Sequence, residues 1–518
     1  MSEPASNHPR LLRSAPLLAF LALQTAIIAV VHAHRTLWSD EFNLLITARK
    51  PLVEGLLWLQ DYSAPLYQLS LRPFLSSDTP PAWLVRAPAF AFSLATVVAA
   101  WLFVKELFSR RAAAIALAFL VLDPLFALLS AQARPYTLFA FFSVASMGAF
   151  CAQLGARPRP WALAGWIASS VLLVYAHYYG LLLLAAQLAF SALELACTRD
   201  SRLARRLAAG FAAIAVLVLP ALWLISRYVL SGAAGTVGWI PRPERTDLLF
   251  LRQSGILLGD ELLTIVCLAA IAFSLARSDS PDSRRGWRPW WESHRAEMLC
   301  LLWIAFGLYF LVLVSYAMRP IYVSRYGLPV VVPLAAFLGA ALARIRMPWQ
   351  LAAVLALLSL PAARLLQLDL RPDARDYEHL IDALRVRNTD GSPLYVGDLP
   401  YLSDFVNTEV TGLRYYGYAD GETETLLPLV RGADGQVQLR DGSLLPSDRR
   451  VFVLSVSGVG TPAIEAYLQG EGRAYRRSDF GALSLIELER TGTQGRWLSP
   501  SASPAQGDAP APPRRTGE

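Results

Sequence analysis

The sequence predicts an α-helical polytopic membrane protein of about eleven spans with a small C-terminal extracytoplasmic α/β domain. Three observations predict it: a series of long apolar runs, a regular alternation of arginine-rich and arginine-poor connections, and a fall in hydropathy beyond about residue 370. The chain has 518 residues, is 55% hydrophobic and has a mean hydropathy of +0.39. A soluble chain of this length does not need so much apolar matter, because cores stop growing and divide into domains.

The spans read as Ala15–Val31, Ala87–Val104, Ala112–Leu129, Leu138–Leu154, Trp161–Ala176 and Gly180–Ala196, then Leu207–Ile225, Leu262–Ala276, Met298–Tyr316, Tyr326–Ala343 and Trp349–Leu365. Several are shorter than the roughly 20 residues that cross a bilayer upright, so flanking aromatics extend them. The 14 tryptophans suit belts at the two interfaces. Ala15–Val31 follows Arg10 and Arg13 as the apolar part of a leader would. His32, His34, Arg35 and Trp38 come next in place of a small-residue cleavage site, so it reads as a retained first span.

The charges set the orientation. Lys105, Arg110 and Arg111, then Arg157 and Arg159, then Arg199, Arg202, Arg205 and Arg206, then Arg284, Arg285 and Arg288, then Arg344 and Arg346 fall in alternate connections. They share a side with Arg10 and Arg13, which the positive-inside rule makes cytoplasmic. Residues 35–86, 132–136, 177–179, 227–261, 317–325 and everything after the last span then lie outside. The net charge of +7 follows from these loops and from anionic lipid or phosphate ligands, without nucleic acid. Cys151, Cys197, Cys267 and Cys300 all sit within or at the ends of apolar runs, which argues against a disulfide framework and a thiolate metal site.

Three segments result: a membrane module at 1–368, an outer α/β domain at 369–498 and a tail at 499–518. In the outer domain Tyr377–Arg385 and Ile464–Leu468 read as helices, and Leu394–Val396, Val451–Val456 and Leu483–Leu488 as strands. The tail is rich in Pro, Ala and Ser, a composition that reads as disorder.

The outer loop after the first span is the richest in chemistry. Asp40 and Glu41 follow that span within two helical turns, so both carboxylates belong at the membrane surface. Phe42–Ala48 is apolar, helical in pattern and too short to span, which suits the interface. A carboxylate at the mouth of a membrane cavity suits general-base work on an acceptor hydroxyl, with a second carboxylate placing the acceptor. By themselves the pair also fits solvated loop charges or a helix cap. Arg134 lies in a connection so short that it must sit at the membrane boundary. A guanidinium there suits either a bidentate grip on phosphate or snorkelling to lipid headgroups. His177, in Tyr175-Ala176-His177-Tyr178-Tyr179-Gly180, could orient a phosphate or belong to an aromatic belt. Arg319 and Arg325 mark another outer boundary. His32 and His34 stand near Asp40, but their spacing is loose and nothing completes a metal site, so no metal is indicated.

In this order the motifs carry a resemblance. Asp40-Glu41, Asp61-Tyr62-Ser63-Ala64-Pro65-Leu66-Tyr67, Arg86-Ala87-Pro88, Ser130 to Tyr136, Tyr175 to Gly180 and Arg325-Tyr326 together resemble the glycosyltransferase-C superfamily. The likeness is to its protein O-mannosyltransferase and aminoarabinose-transferase-like group of bacterial membrane enzymes, and it covers about the first 370 residues. Ala64 replaces the first proline of the usual pair and Ala87 the usual leucine; neither change removes a polar catalytic group. The resemblance implies inverting sugar transfer from a polyprenyl-phosphate-linked donor at the outer face of the bacterial inner membrane, to a lipid, glycan or protein acceptor. It implies Asp40 as base, with Glu41 supporting acceptor placement or the local hydrogen bonding. It implies that Arg134, Arg325 and His177 hold the donor phosphate, and that Asp61, Tyr67, Arg86, Tyr136, Arg319 and Tyr326 line the substrate site. A polyprenol-linked saccharide flippase, transporter or polymerase is the alternative, since it too would use arginine-rich outer cavities.

Overall fold

The computed structural model describes residues 10–57, 64–155, 161–230, 261–276, 287–367, 377–397, 427–431, 437–439, 448–456, 461–470, 473–480 and 483–488, except 76, 78, 319 and 346, with isolated positions at 158, 240, 242, 243, 412, 413, 415, 416 and 445. The chain divides into two compact units, Met1–Arg371 and Pro372–Glu518.

In the first unit each predicted span falls on a helix. Helix α1 is Arg10–Ala33, followed by the short helices α2 (Ser39–Arg49), α3 (Leu52–Leu57) and α4 (Leu66–Leu71). Then come α5 (Ala82–Leu107), α6 (Arg110–Leu122), α7 (Pro124–Ser130), α8 (Tyr136–Gln153), α9 (Ala162–Ala176), α10 (Gly180–Thr198), α11 (Ser201–Leu230) and α12 (Glu261–Ala276). Helix α13 (Trp287–Ile304) runs through a π turn into α14 (Phe310–Ala317), and a 3-10 stretch, Ser324–Val330, leads into α15 (Val331–Ala343) before α16 (Trp349–Leu366). Among the described residues eight helices are long and apolar enough to cross a membrane unaided, or nine when the bent pair α6–α7 counts as one span. The pair bends by 64° because Asp123 ends α6, caps α7 through Phe126 N–H at 2.8 Å, and is followed by Pro124. The remaining predicted spans fall on α9 and α12, helices of 15 and 16 residues.

Polar side chains stitch these apolar helices together. Gln24 Nε2 donates to Ser93 Oγ at 2.9 Å and Ser130 Oγ at 3.1 Å, joining α1, α5 and α7. Trp166 Nε1 donates to Gln187 Oε1 and Gln187 Nε2 to Ser146 Oγ, both at 2.8 Å, joining α8, α9 and α10. Such bonds contribute about 0.6 kcal/mol each on average, since the unfolded chain in lipid also finds partners. At the arginine-rich end Glu194 accepts from Trp291 Nε1 at 2.8 Å and from Arg295 Nη2 at 2.7 Å, so the acidic group in α10 is paired. Small residues let backbones approach: a Cβ on Gly339 would collide with the Ala112 carbonyl, where α15 crosses α6.

Helix α2 differs from its sequence reading in one respect. Phe42, Leu44 and Leu45 are fully buried rather than laid against lipid. The reason is Glu41 in the first turn, whose bonds to Arg86 of α5 and to the Ala133 N–H of the α7–α8 connection pull the helix inward.

The second unit is a six-stranded sheet in the order β3-β2-β1-β4-β6-β5, with β1 Leu394–Gly397, β2 Leu427–Arg431, β3 Val437–Leu439, β4 Val451–Val456, β5 Tyr475–Phe480 and β6 Leu483–Leu488. Strands β2, β1 and β4 are parallel and the outer pairings antiparallel. Val451, Val453, Ile486 and Tyr395 pack on one face against Ile464 and Leu468 of α18 (Thr461–Gly470). Helix α17 (Tyr377–Arg387) reaches the other face, where Arg387 donates to Ser478 Oγ at 2.8 Å. The predicted strands and helices of this unit stand; the predicted tail 499–518 lies outside the described residues.

Candidate active site

Asp40 stands in the first turn of α2, where a carboxylate is favoured by the helix dipole. Its Oδ2 lies 3.7 Å from Arg134 Nη2 and 3.7 Å from Arg325 Nη2. Arg134 comes from the α7–α8 connection and also donates to the Asp40 backbone carbonyl at 3.2 Å; Arg325 comes from the 3-10 stretch before α15. At 3.7 Å the carboxylate and the two guanidiniums form ion pairs rather than side-chain hydrogen bonds. They are 22%, 12% and 20% exposed, neither in bulk water nor sealed. The three charges sum to one positive.

Aromatic rings wall this recess. The Arg134 guanidinium lies 5.9 Å from the Tyr136 ring, and that of Arg325 lies 6.0 Å from Tyr136 and 5.9 Å from both Trp38 and Tyr326. These are cation–π distances. His177, at the end of α9, stacks on Phe139 with centroids 4.7 Å apart and lies 5.2 Å from the Tyr326 ring. Tyr179 donates its hydroxyl to the Ile321 carbonyl at 2.9 Å, fixing the segment in front of Arg325.

His177 Nδ1 accepts the Tyr179 N–H at 3.3 Å, so the ring proton sits on Nε2, which is left as a donor. Burial, and then the positive charges of Arg134 and Arg325, hold its pKa well below the ordinary 6.5. The imidazole is therefore neutral at physiological pH and offers a hydrogen bond rather than a charge. The unfolded chain takes up this proton below pH 6.5 and the folded one does not, so stability is full above 6.5 and falls as pH drops beneath it. A His177→Phe variant, which keeps the ring stack, should lose less thermal stability than the wild type between pH 7.5 and pH 5. Equal losses would show that His177 charges in the folded protein.

Glu41 and Arg86 sit behind the recess, 0% and 1% exposed. Glu41 Oε1 accepts from Arg86 Nε at 2.8 Å and Ala133 N–H at 2.6 Å; Oε2 accepts from Arg86 Nη2 at 2.8 Å and Trp38 N–H at 3.2 Å. Arg86 also donates to the Arg35 carbonyl at 2.9 Å, the Thr36 carbonyl at 2.8 Å and His32 Nδ1 at 3.1 Å. A guanidinium has five N–H donors and a carboxylate about four acceptor positions. Both inventories are filled. Arg86, expected to line the substrate site, is engaged here within the protein, and of the two roles expected for Glu41, acceptor placement or local hydrogen bonding, the geometry shows the local hydrogen bonding. Tyr67 is likewise wall, at 1% exposure; burial, then the Glu41 charge, raise its phenol above the usual range.

The structure thus brings together Asp40, Arg134, Arg325, His177, Tyr136 and Tyr326, and sets Glu41, Arg86 and Tyr67 behind them. Asp61 and Arg319 lie outside the described residues. The sequence reading missed the Trp38 ring and the Ala133 N–H. Trp38 stands two residues before Asp40, a signal the sequence did carry; a backbone donor leaves none. Among the described residues no three His, Cys, Asp or Glu side chains gather in a metal-ligating group.

No family model and no curated relative matches the chain. Solved structures do. ArnT from Cupriavidus metallidurans in the apo state superposes with a TM-score of 0.59 at 15% identity, covering 92% of this chain and 98% of that one. The same protein bound to undecaprenyl phosphate gives 0.58 at 14% identity over 92% and 98%. The Archaeoglobus fulgidus oligosaccharyltransferase in the apo form gives 0.54 at 11% identity over 95% and 76%. The chain has the fold of ArnT and of this oligosaccharyltransferase.

Proposed function

We propose that the protein transfers a sugar from a polyprenyl-phosphate-linked donor to an acceptor hydroxyl at the extracytoplasmic face, inverting the anomeric centre, with Asp40 as base. One observation carries this reading: a single carboxylate set 3.7 Å from each of two guanidiniums in an aromatic-walled recess. The acceptor oxygen attacks the anomeric carbon while the bond from that carbon to the phosphate oxygen breaks. The acceptor proton passes to Asp40, and the bonding pair leaves on the phosphate.

Charge supports a monophosphate donor. Before reaction two guanidiniums face the Asp40 carboxylate and a phosphodiester of charge −1, which sum to zero. Afterwards Asp40 holds the proton and the released phosphate monoester approaches −2, again matched by the two cations. The recess thus follows the charge that develops on the leaving group, where preorganised donors lower the barrier most. His177 Nε2–H adds a neutral donor. The likeness to ArnT, solved with undecaprenyl phosphate bound, supports the lipid-linked donor. In this reading the N-terminus is cytoplasmic and the C-terminal unit lies outside, as the arginine alternation requires.

The test uses the full chain in nanodiscs with a panel of hexosyl and pentosyl polyprenyl phosphates labelled with carbon-13 at the anomeric position. Release of polyprenyl phosphate together with an inverted anomeric coupling in the product is expected. A product of retained configuration would rule out single displacement with Asp40 as base. A donor that crosses the bilayer intact would favour a flippase.

A further inference from the structure

Building on the donor grip just proposed, we infer that the buried Glu41–Arg86 pair is a strut that sets the relative positions of Asp40 and Arg134. Glu41 is a positioning residue that never touches substrate.

The argument starts from chain adjacency. Asp40 precedes Glu41, and Ala133 precedes Arg134. Glu41 reaches back to the Trp38 N–H at the start of α2, half of a capping box. With its other oxygen it takes the Ala133 N–H at 2.6 Å. One carboxylate therefore holds the backbone on either side of the recess, two residues from Asp40 and one from Arg134. Arg86, from α5, holds that carboxylate bidentately and fastens the end of the α1–α2 connection through the carbonyls of Arg35 and Thr36. Adjacent side chains point apart, so Asp40 and Arg134 face the recess while their neighbours face the strut.

Saturation of both groups separates this role from direct contact. All five N–H bonds of Arg86 and the four acceptor positions of Glu41 are occupied within the protein, and both side chains are buried. A bond to substrate would require breaking one of these. The pair also differs from the other ion pairs of the membrane unit. In Arg295–Glu194 and Arg344–Glu297 the arginine is 38% and 28% exposed, whereas Arg86 is 1% exposed.

A buried pair stabilises as well as positions, so the test must separate the two. Replacing only Glu41 leaves Arg86 as an uncompensated buried charge and endangers the fold. Replacing both with apolar residues of similar volume removes that penalty, and such exchanges often preserve stability. The Glu41→Met/Arg86→Met variant still lacks the acceptors for Ala133 and Trp38 N–H. The probe is undecaprenyl phosphate, titrated into full-length protein in detergent, with unfolding temperature followed in parallel. Arg134→Ala should weaken the probe by about tenfold to hundredfold, the loss of one charged contact. The Met/Met variant should unfold within a few degrees of the wild type yet bind the probe about tenfold more weakly. Adding the Met/Met exchange to Arg134→Ala should cost less than twofold beyond Arg134→Ala alone, because the strut acts through Arg134.

Two outcomes overturn the inference alone: wild-type affinity in a stable Met/Met variant, which would make the pair merely structural, or losses that add in the triple variant. Unchanged affinity in Arg134→Ala by itself would instead overturn the donor grip, and the strut with it.

Discussion

Replacing Asp40 with asparagine should abolish most sugar transfer while tightening the hold on undecaprenyl phosphate. The amide matches the carboxylate in size and keeps an oxygen for Arg134, so the fold has no reason to change. What it loses is the ability to accept the acceptor's proton, a contribution of about 10²–10⁴ in rate for general-base catalysis. It also loses a negative charge. The recess then carries two uncompensated guanidiniums, each 3.7 Å from where the charge stood, and a phosphate monoester meets more attraction than before. Turnover falls and product affinity rises, in the same variant. Few other roles predict both signs. A carboxylate that only stabilised local structure would lose both. A carboxylate that only repelled product would, when removed, slow product release but leave a normal first turnover. Single-turnover kinetics on an active donor, with probe binding alongside, reads the two effects; Asp40→Asn activity within about tenfold of wild type would remove Asp40 as base.

How much of this was legible in the sequence differs by level. Every predicted span found its helix, because apolar runs and alternating arginines are forced by the bilayer and need no tertiary information. The outer strands were harder. Strand β5, Tyr475–Phe480, carries Arg476, Arg477 and Asp479 and lies at the sheet edge with much of its length exposed, so it has no apolar alternation to read. Strand β2 contains Pro428, which argues against a strand until its pairing partners are known. In the site the charges were visible, and the roles given to Asp40 and Glu41 came from the family resemblance rather than from the residues themselves. Asp40 and Glu41 are neighbours of the same chemical class, and only the packing turns one toward the recess and the other into a buried strut. Arg86 and Arg134 likewise look alike at helix boundaries. What distinguishes them is that Arg86 meets two carbonyls and a carboxylate inside the protein, whereas Arg134 meets a carboxylate at a partly open surface.

The largest effect on binding and catalysis together should come from removing both recess cations. In Arg134→Ala/Arg325→Ala the leaving phosphate develops its second charge with no guanidinium to receive it. One preorganised donor of this kind is worth about 10²–10³ in kcat, so the pair should approach 10⁴ or more. Donor affinity should fall as well, since Asp40 then faces the phosphodiester with charge −1 against −1. Lysine at either position should recover only part of the loss, because an ammonium supplies the charge but not the planar fork. The decisive comparison adds Asp40→Asn to the double variant. Removing the carboxylate relieves the repulsion that the missing arginines left behind, so undecaprenyl phosphate binding should recover by several-fold even as turnover stays negligible. If the arginines acted only to hold Asp40 in place, adding Asp40→Asn would change nothing, and probe binding in the double variant would already match the wild type. Recovery of binding without recovery of turnover is the result that assigns the two arginines to the phosphate and the carboxylate to the proton.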